Sequence, residues 1–384
     1  MEVNGIKYNF LSDKPVNGSG TYAATDNNIQ QPVINCASSQ VGDSVEIRNM
    51  TNEWAKIENS DGKIGNFRQG QTGDCWFLAT LLAIQMAGRD EEFISSRIKR
   101  NGNAVNIAFG CGEDATQYNF TQEDINQRLL KTQKSTDYTA KYGDTLSEIC
   151  ENFGADMQAT AALEANEIHD VNKIKAGRKY TLIQNFGNLA SNDVDVMMLE
   201  MALEQTLKKP IDGNYPSFAI RNIAGRPITY IDLDTGNAAC GHENSQIDKT
   251  KSLYGLMDYA LKRKDNLGIV ASTGKTVSPN SGLYPTHAYT VDLQESNENY
   301  IVVINPHNTN EKRIMPKQQF MNNFSYISIA DLSSYESYTV QEEECLSVIA
   351  QKHNLKTEDL ILANPELKNV DIIRTGEQIN IPVK

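Results

Sequence analysis

The sequence predicts an α+β chain with one helical lobe, one lobe of antiparallel strands, and two small β-α-α-β modules. Three observations lead there. A 46-residue segment recurs at an offset of 200 residues, at 138–183 and 338–383. A glycine-rich loop empties into a strongly apolar helical run at Cys75. Two strand-like runs joined by a polar turn carry His287 and Asn305.

Composition narrows the function. At 384 residues the chain exceeds what a single core serves. Apolar residues make up 39% and charged residues 22%, as in folded soluble modules. A net charge of −13 argues against a sequence-independent grip on nucleic-acid phosphates. The longest apolar run, Cys75 to Gly88, is fourteen residues long and interrupted by Thr80 and Gln85. A bilayer span needs ~20, so no membrane span is expected. The start, MEVNGIKYNF, lacks a basic patch followed by an apolar run. Cytoplasmic localisation at synthesis is therefore expected, with non-classical export or cell-wall association as the alternative. Six cysteines, at 36, 75, 111, 150, 240 and 345, form no CxxC pair, which favours reduced thiols over a zinc site.

Residues 1–45, rich in Asn, Gly, Ser and Thr, have weak periodicity and read as an arm, a propeptide or an export tag. From Gln69 the chain reads Gln-Gly-Gln-Thr-Gly-Asp-Cys75-Trp-Phe-Leu-Ala. Asp74 is a good N-cap residue, which puts Cys75 in the first turn of the helix. Free amides and the positive helix end favour a thiolate there. A buried helix with its reactive atom at the N-terminus suits a nucleophile. Gln69, six residues before Cys75, can loop back so that its amide meets a developing oxyanion, with Gln71 as the competing donor.

The repeated segments come next. YTAKYGDTLSEIC (138–150) aligns with YTVQEEECLSVIA (338–350), and both continue to an Asn, at 166 and 364. Each closes on a Gly-turn and a short strand, KAGRKYTLI and RTGEQINIP. His169, His353, Cys150 and Cys345 fall inside these units, which leaves fewer candidates for chemistry.

Between the two modules, Asp232-x-Asp234-x-Gly236 with Glu243 loosely echoes a calcium loop. Its glycine is at the fifth place rather than the sixth, so it reads as an acidic turn. Cys240-Gly-His242 is a rival catalytic pair, but residues so close in sequence rarely face each other usefully. Gly282-Leu-Tyr-Pro-Thr-His287-Ala-Tyr-Thr-Val is a turn feeding an alternating strand, followed by QESNEN and YIVVINPHN. Antiparallel pairing sets His287, at the start of one strand, beside Asn305, at the end of the next. An Asn amide there orients an imidazole without adding charge.

The two repeats resemble LysM domains. That resemblance implies binding of N-acetylglucosamine polymers, peptidoglycan or chitin, through Gly143, Asp144, Thr145, Leu146 and Asn166. The second module replaces Gly-Asp-Thr with Glu343, Glu344 and Cys345, which favours a spacer or docking role for it. The run Gln69–Ala79, together with Thr286-His287-Ala288-Tyr289-Thr290-Val291 and Ile304-Asn305-Pro306-His307, resembles the calpain family of papain-like cysteine proteases. Met198–Gln205 and 313–332 are similar to two further segments of that family. Cys75 and His287 are 212 residues apart, or 166 once the 46-residue module is set aside. His307 stands where the family has a tryptophan; it reads either as a residue supporting the catalytic groups from behind or as a turn residue, the latter preferred.

The resemblance implies a papain-like two-lobed protease. Cys75 would be the nucleophile, His287 the base, Asn305 the orienter and Gln69 the oxyanion donor, acting on a protein or peptide substrate, with Ca2+ dependence a further implication. The expected organisation is an arm at 1–45, lobe one at 46–136 and 185–215, an inserted LysM domain at 137–184, lobe two at 216–335 and a second LysM domain at 337–384. No cofactor or metal ligand set is assigned. Two other readings stand: a peptidoglycan-processing Cys hydrolase and a catalytically silent LysM adaptor. Export as a bacterial effector or toxin would suit a protease with LysM modules.

Overall fold

The computed structural model describes residues 2–3, 6–7 and 53–384, apart from 71, 112–114, 154, 156, 163, 186–188, 210, 212, 234–237, 240–250, 280, 368–371 and 384. The expected arm at 1–45 lies outside them but for a hairpin of β1 (Glu2–Val3) and β2 (Ile6–Lys7). The fold is mixed α+β with several antiparallel sheets.

The helical part is organised around α1 (Cys75–Met86), whose residues Cys75 to Ile84 are all buried. A helix apolar on every side must be enclosed. Each of Trp76, Phe77, Leu78, Leu81 and Ile84 gains about 2 kcal/mol from burial. After α2 (Asp90–Phe93) comes a three-stranded sheet of β3 (Ile98–Asn101), β4 (Ala104–Phe109) and β5 (Thr116–Thr121), then α3 (Gln122–Thr132).

The first module follows without a break: β6 (Gln133–Thr139), α4 (Leu146–Phe153), α5 (Met157–Ala162) and β7 (Lys179–Asn185). Its outer strands pair from Thr139↔Lys179 back to Gln133↔Asn185, so the ladder runs beyond the module towards the lobe. The chain returns through α6 (Val194–Leu207) and α7 (Pro216–Ala224). The Phe218 ring on α7 meets Trp76 edge-on at 6.0 Å, and Ala219, Ile220 and Ile223 join the core around α1. The expected lobe boundary at 216 is therefore displaced. Helix α7 belongs to the helical lobe, and the strands begin at Thr229.

The second lobe consists of β8 (Thr229–Asp232), β9 (Ala238–Ala239), α8 (Lys251–Arg263), β10 (Leu267–Thr273), β11 (Ala288–Val291), β12 (Tyr300–Ile304), β13 (Lys312–Pro316), α9 (Lys317–Asn323) and β14 (Phe324–Asp331). Its seven strands lie in the order β13-β12-β11-β10-β14-β8-β9. Alternation along these strands divides residues between two cores rather than between core and water. Val270, Ala288, Ile304 and Ala330 face the core around α1. Ile269, Ala271, Tyr289, Val291, Ile301 and Val303 face a second core with Met257, Ala260 and Leu261 of α8 and Phe320 of α9. Period-2 strands covered on both faces give this result.

The second module has β15 (Ser334–Thr339), α10 (Leu346–Lys352), α11 (Thr357–Ala363) and β16 (Gln378–Val383). The two modules sit differently. Each has its own core, Ala140, Ile149, Tyr180 and Leu182 in the first and a cluster with Val340, Leu346, Ile349, Leu360 and Ile381 in the second. The second sends Leu362 and Ile361 of α11 into the core of the strand lobe. An ionic joint accompanies them: Arg263 of α8 lies 2.9 Å from Asp331 and 3.2 Å from Asp359 of α11, and Tyr259 also bonds Asp359. Among the described residues no helix is long and apolar enough to cross a membrane.

Candidate active site

Cys75 opens α1 and is 5% exposed. The Ala288 backbone amide lies close enough to its sulfur to favour the thiolate, so the thiol lies against the strand that begins one residue after His287. His287, 7% exposed, has Nε2 at 2.8 Å from Asn305 Oδ1. The same Oδ1 accepts the His307 backbone N–H at 3.0 Å, which fixes the orientation of the amide. An amide oxygen only accepts, so Nε2 carries the ring hydrogen and Nδ1 keeps the lone pair.

Hairpin geometry brings these groups together. β11 pairs with β12 through Thr290↔Ile304 and Val291↔Val303. The same register, extended past the ladder, sets 287 opposite 307. The His307 ring lies flat on the His287 ring, with centroids 4.9 Å apart and planes within 2°. Tyr284 meets both rings edge-on, at 5.7 and 5.6 Å, and Tyr289 meets His287 at 5.0 Å. The reading of His307 as a mere turn residue is thereby corrected: it stacks on His287 and bonds Asn305.

Gln69 is at the same junction. Its backbone N–H donates to Pro306 O at 2.7 Å, and its side-chain amide donates to Thr72 O at 2.9 Å. Its Oε1 is buried without a donor. The competing Gln71 lies outside the described residues. Around Gln69 the lobes are stitched by Phe67 N–H to Thr309 Oγ1 (3.2 Å), Thr309 Oγ1 to Phe67 O (2.9 Å) and Thr290 Oγ1 to Ala79 O (2.7 Å).

The electrostatics correct two expectations. The helix start was expected to favour a thiolate, yet burial pushes the Cys75 thiol up to about 12, against the Ala288 and Trp76 amides and with Asp74 adding to the rise. Burial likewise lowers His287 to about 3, His307 adds to that, and the Asn305 bond opposes it. In this conformation both groups are neutral. Desolvation outweighs the partial charges of a helix end. Asp74 occupies the N-cap position but makes no side-chain cap bond. Neither of its oxygens receives a well-formed hydrogen bond, and its partners are the Glu200 carboxyl and the Gln69 amide. Burial raises Asp74 to about 6, and burial with the facing Asp74 holds Glu200 well above the usual carboxylate range.

Glu200, His307 and Thr286 were missed as site residues. Glu200 carried a signal, a carboxylate within the otherwise apolar Met197–Leu203 stretch. Thr286, directly before His287, is held at φ 52°, where a β-branched residue is strained. Of the calcium-like loop only Asp232 is well described; Asp234, Gly236, Glu243 and the rival Cys240 and His242 lie outside the described residues. Among the described residues no group of three or more His, Cys, Asp or Glu could hold a metal ion, so the calcium implied by resemblance finds no ligand set there.

The module residues do structural work. Gly143 has φ +91°, and Asp144 Oδ2 accepts from Tyr138 OH at 2.9 Å and from Lys141 N–H at 2.7 Å. Thr145 Oγ1 accepts the Glu148 amide at 3.2 Å, opening α4. Leu146 is fully buried. Asn166 is buried too: Nδ2 donates to Thr160 O (2.7 Å) and Thr181 O (2.8 Å), and Oδ1 accepts Thr181 N–H (2.8 Å). Leu146 and Asn166 are therefore corrected from glycan contacts to internal supports, because neither presents a free atom to a sugar. Tyr142, missed in the sequence, is 99% exposed on that loop. A hollow of about 310 Å³ beside Asp144 is lined by Tyr138, Glu148, Ile149, Asn152 and Phe153.

The second module keeps the same scaffold with other residues. Glu344 accepts from Tyr338 OH at 2.9 Å and from Gln341 N–H at 2.8 Å, while Glu343 takes φ 63°. Asn364 donates to Leu360 O and Asn380 O, both at 2.8 Å. The acidic pair thus builds the same turn as Gly143 and Asp144 do in the first module.

A LysM domain model matches residues 138–179 and 338–382. No curated protein matches the sequence. The chain carries two LysM domains, and LysM domains suggest binding of peptidoglycan or a related glycan.

Proposed function

We propose that this chain is a papain-like cysteine endopeptidase of the calpain type, held to a glycan surface by its first LysM domain. The observation that carries the reading is the 2.8 Å contact between His287 Nε2 and Asn305 Oδ1, beside a strand whose first amide lies near the Cys75 sulfur. In this reading Cys75 Sγ attacks the scissile carbonyl and its proton passes to His287 Nδ1. The Cys75 backbone N–H and the Gln69 side-chain amide, turned away from Thr72 and Asp74, meet the oxyanion. The proton then moves to the leaving amine, and water hydrolyses the thioester with His287 as base. Because thiol and imidazole are neutral at rest, the ion pair forms as substrate enters.

The first module is the glycan reader in this proposal, because it keeps the Gly143-Asp144-Thr145 loop and an exposed Tyr142. The second is a brace, its α11 taken up by the strand lobe. Such a protease acts where protein and cell-wall glycan meet, which suits an exported effector.

Cleavage of casein by the full chain, with Cys75→Ala as control, tests the reading; equal turnover by both proteins ends it. Digestion of purified sacculi separates a peptidoglycan hydrolase from a protease. Burial of both Cys75 and His287 favours one further reading, a silent LysM adaptor. Retention on peptidoglycan with no cleavage dependent on Cys75 would establish that role instead.

A further inference from the structure

His307 makes contacts with three of the groups assigned to the reaction. Its ring stacks on His287 at 4.9 Å and 2°. Its backbone N–H donates to Asn305 Oδ1 at 3.0 Å. The Gln69 backbone lies close enough to favour a proton on that ring, and the Gln69 N–H donates to the neighbouring Pro306 O at 2.7 Å. Three parts of the site, from two lobes, therefore meet at the Asn305-Pro306-His307 turn.

We propose that His307 is a positioning residue that holds His287, Asn305 and Gln69 in working register and makes that register sensitive to acid. The proposal rests on the proteolytic reading and adds a regulator to the same site. The physics is like-charge repulsion. The reaction passes through a His287 imidazolium, and a second imidazolium stacked flat upon it opposes that charge. A protonated His307 therefore disfavours proton transfer from Cys75, whereas neutral His307 permits it. Protonation also gives both His307 ring nitrogens a hydrogen, leaving no acceptor on the ring.

Among the described residues the groups facing these rings include no compensating anion. Tyr284 precedes the β11 strand and Tyr289 lies on it, both edge-on to the rings. Cys75 of α1 is neutral, held high by burial. Arg313 of β13 acts on Tyr289 and brings a further positive charge. Asp74 lies behind Cys75 and is itself raised by burial. Burial lowers both His307 and His287, in keeping with two imidazoles that resist carrying charge together.

The test compares the full chain with His307→Phe, which keeps a flat ring without a titrating nitrogen, and with His307→Ala. The kcat/KM profile is measured from acid to neutral pH. With Phe the acid limb moves down by about one pH unit, whatever the level of neutral turnover. With Ala, kcat falls about tenfold or more at every pH and KM barely moves. A merely structural His307 would lower all points of the Phe profile by one factor, and superimposable acid limbs overturn the proposal. The imidazole titration of His287, followed by NMR, provides a readout that needs no turnover. In His307→Phe it becomes a single step above the lower of the two wild-type steps, and an unchanged titration overturns the proposal. Wild-type turnover insensitive to Cys75→Ala would instead point to failure of the proteolytic reading, whatever the NMR titration shows.

Discussion

Asp74 and Glu200 face each other as carboxyls in fully buried space, directly behind the sulfur of Cys75. Glu200 Oε2 accepts the Ala190 amide at 2.8 Å, which leaves Asp74 as the less supported partner. Two facing carboxyls hold one proton between them more readily than two negative charges. The pair thus places the α1 start beside α6 across 126 residues of chain.

That arrangement sets a pH dependence for stability. Asp74 rises from 3.8 to about 6 in the folded protein, so folding binds its proton more tightly. The resulting stability is complete below the unfolded value of 3.8 and is lost as pH climbs through about 6. Between pH 5 and 8 the wild type should lose about 1–3 kcal/mol. Glu200→Gln should flatten the curve by giving Asp74 an amide donor. Urea midpoints at the two pH values check this; an equal slope in the variant refutes it.

Thr286 at φ 52° explains why a glycine would suit the position before His287. Thr286→Gly should stabilise the fold by about 1 kcal/mol, since relief of left-handed strain exceeds the added backbone entropy. A denaturant midpoint that falls would show that the strain is absorbed elsewhere.

Asn166 is the staple of the first module, and Ala in its place leaves three backbone groups around Thr160 and Thr181 without partners. Loss of about 3 kcal/mol is expected, confined to the module because its core is separate. Hydrogen exchange should quicken across 140–182 while the lobes keep their protection. Asn364→Ala should behave differently and weaken the strand lobe as well, because α11 shares that core.

Arg263 neutralises Asp331, whose side chain is 0% exposed. Removing the cation strands a buried carboxylate, so Arg263→Met should cost about 3–5 kcal/mol. Limited proteolysis should then release residues 334–384 earlier than in the wild type. An unchanged cleavage pattern would mean the apolar face of α11 alone holds the module.

The modules were legible in the sequence because their signature residues carry the fold themselves: Tyr138 bonds Asp144, and Asn166 ties one strand to the helices. The meeting of 287 with 305 was readable from one hairpin, since the polar turn between the two runs is short. The same hairpin register pairs 287 with 307, a step that would have drawn attention to His307. The charge state of Cys75 was not legible. Helix-end reasoning is local, whereas the burial that overrides it comes from the packed core around the sulfur, built from distant segments, with the Asp74 charge adding to it. The boundary at 216 failed for a related reason, because only the packed core shows that α7 leans on Trp76.

The ladder from Thr139↔Lys179 back to Gln133↔Asn185 gives the first LysM domain an unusual tether. Both of its chain ends leave through one rung, and α3, directly before that rung, is anchored to α6 by Arg128 and Glu204 at 2.8 Å. If the domain grips a wall polymer and the polymer is tugged, the load divides between two covalent backbones running side by side. The cross-links of the ribbon are hardly stressed, so it acts as a strap rather than a zipper.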